Sequence, residues 1–512
     1  MILGGILVKK LFSLLLASVM LASSAMAAET VRPSGVTYEI FVGSFRDSNG
    51  DGIGDLGGIA ASADYIASLG ADRVWLTPVH PSISYHKYDV LDYYDIDPQF
   101  GTLDDFDAME KTLEERGIAV TMDLVVNHTS SEHPWFLAAC DALRNGTDSP
   151  YIDWYHFTKG EGQHIVTGTD WYYEGQFGYH MPDLNLGNPD VRKEIAAIIA
   201  FWQGHGVDGF RLDAVTSYYT GAPASTTEFL AFVTETAHAG DPDCWVVGEA
   251  WTNETEMLQY YASGVDSLFY FPGADSTGRF VKGALNANGA AVAAAVADWQ
   301  ARLHDVSPAS QDAPFLTNHD MARARGMLRS KIEFQKVAAM TYLLTPGRPV
   351  VYYGEELGMS GSGIDENKRL PMLWNGTDAS AQCAPPAAAD QQQRLKEGVC
   401  EQEGNPDSLL NWYRDVIALR SLAPELTNGT MTAVDAGHKA IGCWRVDDGG
   451  ESVIVIVNTS VNEAVTVDVA AMGKATPIGS CGMTEDCILQ DNDGYVTMVT
   501  LPAISCLVLD VQ

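Results

Sequence analysis

The sequence predicts an α/β fold: a (β/α)8 TIM barrel with a small domain inserted after its third strand and a C-terminal antiparallel β-sandwich. Three observations carry this reading. Short apolar runs alternate with helical stretches over most of the 512 residues, as strands separated by crossover helices require. One connection, from about His128 to Asn188, is too long for an ordinary βα loop. Beyond about Leu422 the helical stretches stop, and runs with a two-residue period take over.

Eight runs read as barrel strands: VTYEIFVG, DRVWLTP, GIAVTMDLVV, GFRLDAV, CWVVGEA, SLFYFP, APFLTNHD and RPVVYYGEE. Each is nearly continuous in apolar character, as strands covered on both faces demand. DLGGIAASADYIASLG and VRKEIAAIIAFWQGHG are representative helices between them. The expected limits are 28–127 and 189–423 for the barrel, 128–188 for the insertion and 424–512 for the β domain. The insertion is rich in Trp and Tyr, which most often build a small local core. The C-terminal strands are ESVIVIVNTS, AVTVDVA, GYVTMVTLP and SCLVLDVQ. Trp444 alone does not suggest a sugar-binding surface there.

The N-terminus joins Lys9 and Lys10 to the apolar LFSLLLASVMLASS and the small residues Ala25 and Ala27. This is the pattern of a secretory signal occupying 1–27, with cleavage after Ala27 and a secreted product. No other run is long enough to span a bilayer. With 31 basic and 67 acidic residues the formal net charge is -36, which disfavours nucleic acid and anionic membranes as partners. Eight cysteines in an exported chain permit disulfides. Local spacing favours Cys383 with Cys400 and Cys481 with Cys487, and leaves Cys140, Cys244, Cys443 and Cys506 open. None has zinc-site spacing.

Three carboxylates follow strand-like runs: Asp213 in GFRLDAV, Glu249 in VVGEAW and Asp320 in FLTNHD. A barrel of parallel strands gathers its chemistry at these C-terminal tips. Each alone more often caps a helix or faces water, but their company matters. Arg211 lies two residues before Asp213, on the same strand face, and can hold that carboxylate ionised. His128 ends MDLVVNH after Asp123 and Asn127, and His319 adjoins Asp320. Two carboxylates, one charged and one protonated, are what cleavage of a glycosidic bond with retention needs.

DLVVNH, GFRLDAV, GEAW and TNHD, in that order, resemble the four signature segments of the α-amylase family of glycoside hydrolases; MPDLN and DSNGDGIGDLGGI resemble two further family segments. The resemblance implies Asp213 as nucleophile, Glu249 as general acid/base and Asp320 as the carboxylate that binds ring hydroxyls and stabilises the transition state. It makes Arg211, His128 and His319 supporting residues, and it puts Tyr88 and Asp89 of YHKYDV at the subsite of the distorted sugar. The β domain then supports the barrel. In DSNGDGIGD, oxygen-bearing residues recur at alternate positions, half of a calcium-loop pattern with Gly58 where a full motif has an acid. With the resemblance added, Ca2+ is expected on Asp47, Asn49, Asp51, the Ile53 carbonyl and Asp55.

Within the family, FLTNHD and YYGEELGMSGSGIDENKRLPMLW are similar to secreted bacterial α-amylases, and MPDLN is similar to neopullulanases and an intermediate group reaching toward oligo-1,6-glucosidases. Thr216 and Ser217 stand where many α-amylases carry Lys-His, a departure that bears on an aglycone contact and a second calcium site. The expectation is a secreted, monomeric, endo-acting enzyme that hydrolyses α-1,4 bonds of starch and maltooligosaccharides by double displacement. An α-glucosidase, oligo-1,6-glucosidase or neopullulanase-like activity is the alternative. A non-catalytic carbohydrate-binding relative is the alternative of another class, and retention of all three carboxylates speaks against it.

Overall fold

The computed structural model describes residues 34–512, so the secretory signal read in 1–27 lies outside the described residues. Among those residues no helix is long and apolar enough to cross a membrane. The chain opens with β1 (Thr37–Ile40), β2 (Arg73–Leu76) and β3 (Ala119–Leu124). An insertion follows with β4 (Phe157–Lys159), β5 (His164–Ile165) and β6 (Trp171–Tyr173), then β7 (Gly209–Leu212), β8 (Trp245–Gly248), β9 (Ser267–Leu268) and β10 (Val350–Tyr352). Seven of these form a parallel sheet in the order β10-β1-β2-β3-β7-β8-β9.

The run APFLTNHD closes the ring, though not with the regular ladder that its length predicts. It is held by single parallel bridges, Phe269 to Ala313 and Phe315 to Val350. Pro314 between them has no N–H to give, and its carbonyl instead accepts from Val350 N at 2.9 Å. The barrel is therefore eight-membered, with a short seventh member.

Alternation along the strands explains the unbroken apolar runs. One set of side chains, including Trp75, Trp245, Val247, Phe269, Phe315 and Val350, fills the barrel interior. The other, including Tyr38, Val74, Val120, Phe210, Val246 and Val351, packs beneath the surrounding helices. The helix Pro189–Gly204 shows how the partner surface is made. Asn188 caps it through Asp190 N and Val191 N, Pro occupies its first turn, and Val191, Ile195, Ile198, Ile199 and Trp202 form one buried stripe.

The insertion holds the helix Pro134–Asn145 and a small antiparallel sheet in the order β4-β6-β5. Its aromatics do build a local core: Trp135 meets Trp154 at 4.7 Å between centroids, and Phe136 meets Tyr155 at 5.0 Å. MPDLN returns the chain to its start, since Thr129 N donates to Pro182 O and Leu184 N to Asn127 O.

The C-terminal strands are β11 (Thr430–Ala433), β12 (Ile441–Asp448), β13 (Glu451–Asn458), β14 (Val465–Asp468), β15 (Ala475–Cys481), β16 (Ile488–Gln490), β17 (Val496–Leu501) and β18 (Ser505–Val511). They form two antiparallel sheets, β11-β12-β13-β18-β15 and β14-β17-β16. Ile454 and Ile456 of β13 face the core between them, whereas Val453, Val455 and Val457 join the core shared with the barrel. Trp444 is fully buried and donates to Leu344 O at 3.2 Å, so it offers no sugar platform.

The cysteine pairs expected from local spacing do not form: all eight thiols are free in this structure. Cys383 is buried and Cys400 exposed. Cys481 lies across from Cys506 in the β15–β18 register, not beside Cys487. Strand pairing brings together residues far apart in sequence, which local spacing does not register.

Candidate active site

Asp213 and Glu249 come immediately after β7 and β8, and Asp320 ends the loop after the seventh barrel member. All three line one pocket of about 300 Å3, with Tyr88, His128, Ala214 and Arg369 among its other walls. Arg211 joins the carboxylates from below. Fully buried, it donates from Nη1 to Asp213 Oδ1 at 2.7 Å and to Asp123 Oδ1 at 2.8 Å, and from Nη2 to Glu249 Oε2 at 2.7 Å. Strand register accounts for this: Asp123 of β3 is the direct neighbour of Arg211 on β7.

The chain turns sharply after Asp213. Ala214 adopts a left-handed φ of 50°, and its N–H reaches Glu249 Oε2 at 3.1 Å. Both protein donors to Glu249 thus converge on Oε2, leaving Oε1 to carry a proton and face a ligand. Burial pushes the Glu249 carboxyl up to about 7; Arg211 opposes this, and the charges of Asp213 and Asp320 add to it. Glu249 therefore holds its proton near neutrality.

Asp320 sits between two cations. His319 Nε2 lies 3.1 Å from its Oδ2, and Arg369 Nη2 donates to its Oδ1 at 2.6 Å. Burial alone would raise the Asp320 carboxyl, but His319 and Arg369 outweigh it and hold the group well below the usual range. The reciprocal effect appears on His319. Burial pulls the ring down, yet Asp320 and Glu39 raise it to about 9, so it is an imidazolium donating to Glu39 Oε1 at 2.6 Å through Nδ1. Tyr88 stacks on that ring at 5.5 Å and donates to Asp123 Oδ2 at 3.0 Å.

His128 is kept neutral by burial and lies 3.2 Å from Tyr88 O through Nε2. Asp89 lies behind Tyr88, beneath the residues that line the pocket, and its Oδ2 is buried with no hydrogen-bond partner. Asp89 is fully buried and accepts hydrogen bonds from Ser82 and Ser84, so it shapes the loop that presents Tyr88. Arg211 and His319 likewise support the pocket from beneath its surface.

Several residues here were not singled out from sequence. Glu39 anchors His319; its signal was a lone acid inside the apolar run TYEI. Trp251, two residues after Glu249, lines the pocket while 51% exposed and stacks on Phe271 at 4.8 Å. Phe177 of the insertion also lines it, beside Met181 of the MPDLN segment already noted. Arg369 carried no readable sign, being 49 residues beyond its partner Asp320.

The DSNGDGIGD loop is a chain of turns closed by its own side chains. Asp47 accepts from Asn49, Gly50 and Gly52 N, Asn49 from Asp51 N, and Asp51 from Ile53 N. Asp55 caps the short helix Leu56–Ala60 through Gly58 N at 2.6 Å and also accepts from Ser48. Among the described residues no three His, Cys, Asp or Glu side chains converge at metal-binding separation. The donor types and the alternate spacing nevertheless suit a hard cation.

The family model described as "Alpha amylase, catalytic domain" matches residues 39–429. The chain belongs to the α-amylase family. It is 35% identical over 433 residues to Alpha-amylase 3 of Dictyoglomus thermophilum, covering 83% of this chain and 84% of the relative. It is 30% identical to an oligo-1,6-glucosidase of Parageobacillus thermoglucosidasius, with 83% and 90% covered. Among solved structures, Eubacterium rectale Amy13B superposes with a TM-score of 0.86 at 38% identity, covering 93% of this chain and 95% of that one. The chain is thus an α-amylase-family glycoside hydrolase, and the carboxylates around Arg211 occupy the C-terminal mouth of its barrel.

Proposed function

We propose that this chain is a secreted, retaining, endo-acting α-amylase that hydrolyses α-1,4-glucosidic bonds. The observation that carries the mechanism is the single Arg211 guanidinium gripping both Asp213 and Glu249. That grip keeps the carboxyls close, in keeping with the separation of about 5 Å used by retaining enzymes. Asp213, paired with Arg211, attacks the anomeric carbon while Glu249 gives its Oε1 proton to the departing oxygen. The Glu249 carboxylate then takes a proton from the water that releases the sugar. Asp320, fixed by His319 and Arg369, accepts hydroxyl hydrogen bonds and favours the positive charge developing on the ring.

The α-1,4 endo reading is supported by the likeness to Alpha-amylase 3 and by the export signal, which suits a polymer substrate. The likeness to an oligo-1,6-glucosidase favours the second reading, an exo-acting or branch-cleaving enzyme. Amylose with a blocked reducing end, followed over time beside pullulan, separates them. A rapid fall in polymer size with mixed maltooligosaccharides supports endo action; glucose alone from chain ends, or panose from pullulan, overturns it. Mass analysis of the exported product tests cleavage after Ala27.

Calcium is a further part of the proposal. Asp47, Asn49, Asp51, the Ile53 carbonyl and Asp55 would hold it, and its charge would pin the first βα loop without entering bond cleavage. A rise in Tm on adding CaCl2 to chelator-treated protein, lost in Asp51→Ala, is expected; no shift refutes the site.

A further inference from the structure

Apart from the active-site pocket, the loops after the seventh and eighth barrel members enclose a cavity of about 620 Å3. Its walls include Arg323, Arg325 and Arg394 with Ser330, Ser360 and Ser362, and contain no aspartate or glutamate. In a chain with 67 acidic and 31 basic residues, such a gathering of guanidinium groups without a carboxylate calls for a partner of opposite charge.

Arg323 is the buried anchor, only 2% exposed. Its Nε donates to Lys368 O at 2.8 Å and its Nη1 to Tyr353 O at 2.6 Å, while Nη2 is buried with no partner. The guanidinium lies over the Tyr352 and Tyr353 rings at 4.4 and 4.7 Å. Arg325 Nη1 is a second buried nitrogen without a partner. The acid that most affects Arg325 is Glu333, which is not in the cavity wall. A buried donor left unpaired is destabilising, and an accepting ligand would relieve that cost. In the cavity wall, Ser330 holds a left-handed φ of 55°, strain of a kind that persists where a ligand is clamped.

Guanidinium forks match the oxygens of phosphate, and hydroxyls add donors of the right type. Loops after the seventh and eighth strands are also where barrels commonly seat phosphate. We infer that this cavity binds a phosphoryl oxyanion, free or esterified to a sugar. Its volume admits the larger ligand, and its serines and Gln391 provide partners for hydroxyls. The inference is independent of the bond specificity proposed above.

Isothermal titration of the full-length protein with sodium phosphate, glucose 6-phosphate and glucose, at matched ionic strength, tests it. Saturable phosphate binding is expected, weakened about tenfold or more in the rim double variant Arg325→Gln/Arg394→Gln, with Arg323 left in place. Glucose 6-phosphate binding tenfold tighter than phosphate identifies an esterified sugar as the ligand; equal affinities identify the free oxyanion. No saturable phosphate binding, or binding unchanged in the double variant, overturns the site. Should the double variant fail to fold, the exposed Arg394→Gln alone, with an unaltered unfolding midpoint, keeps the comparison readable.

Discussion

Replacing Glu249 with Gln isolates the proton on which cleavage depends. Arg211 Nη2 and Ala214 N both donate to Oε2, and a glutamine carbonyl accepts the same two bonds, so the loop geometry survives. Its amide occupies the place of Oε1 but has no acid proton to give. Loss of general acid catalysis costs about 10²–10⁴-fold, or roughly 3–5.5 kcal/mol of barrier. The assay is kcat/KM on a maltooligosaccharide with a poor leaving group, from acid to alkaline pH. Wild-type activity should fall as pH rises through about 7, where Glu249 loses its proton; Glu249→Gln should lack that limb. A maltosyl fluoride, whose leaving group departs without protonation, should lose far less. Full activity in the variant, or an unchanged alkaline limb, would refute the assignment of Glu249 as the acid.

Arg211→Met strands Asp123, Asp213 and Glu249 as buried carboxyls, so about 3–5 kcal/mol of stability should be lost in urea unfolding; an unchanged midpoint contradicts the pairing. Glu355 is fully enclosed, and burial pushes it up to about 8 against the hydrogen bonds of Tyr413 and Tyr342. Its folded value is raised, so its contribution is fully present below the unfolded value of about 4.3 and is lost as pH climbs through about 8. Glu355→Gln should therefore flatten the decline of Tm with pH across that window, and parallel Tm curves would exclude the effect. Trp251→Ala, at an exposed platform stacked on Phe271, should raise KM by about fivefold through loss of roughly 1 kcal/mol of aromatic contact. Its kcat should hold, and an unaltered KM would remove Trp251 from the binding surface.

How much of this was legible follows from which contacts run along the chain and which run across it. Asp213, Glu249 and Asp320 were readable because a parallel barrel puts strand ends at one mouth, whatever the details of packing. Arg211 was readable as a partner of Asp213 because two residues along a strand share a face. Its grip on Glu249 was not, since that depends on how β7 and β8 align, and its grip on Asp123 depends on β3 lying beside β7. The surroundings of Asp89 were not legible for a related reason. It follows Tyr88 directly, so the turn that aims Tyr88 at His319 sends Asp89 the other way, toward Ser82 and Ser84. The cysteines make the same point in the β domain, where Cys481 faces Cys506 across the sheet.

That cross-strand dependence gives the pocket its chemical asymmetry. Asp213 and Glu249 share one guanidinium, but only Glu249 also faces the negative charges of both Asp213 and Asp320 in a site where burial already disfavours its ionisation. Asp320, by contrast, is flanked by His319 and Arg369, and Glu39 of β1 reinforces the charge on His319. One protonated and one anionic carboxyl therefore coexist near neutrality because of what lies under each, not because of any difference between Asp and Glu. Neutralising Glu39 as Glu39→Gln should consequently act at a distance. With a weaker partner for Nδ1, His319 would lose its proton at lower pH, Asp320 would lose part of its cationic support, and KM should rise as pH increases above neutrality while the acid profile of Glu249 stays in place. A variant in which the Glu249 limb moves and KM does not would show that the charge on His319 is not transmitted through Asp320.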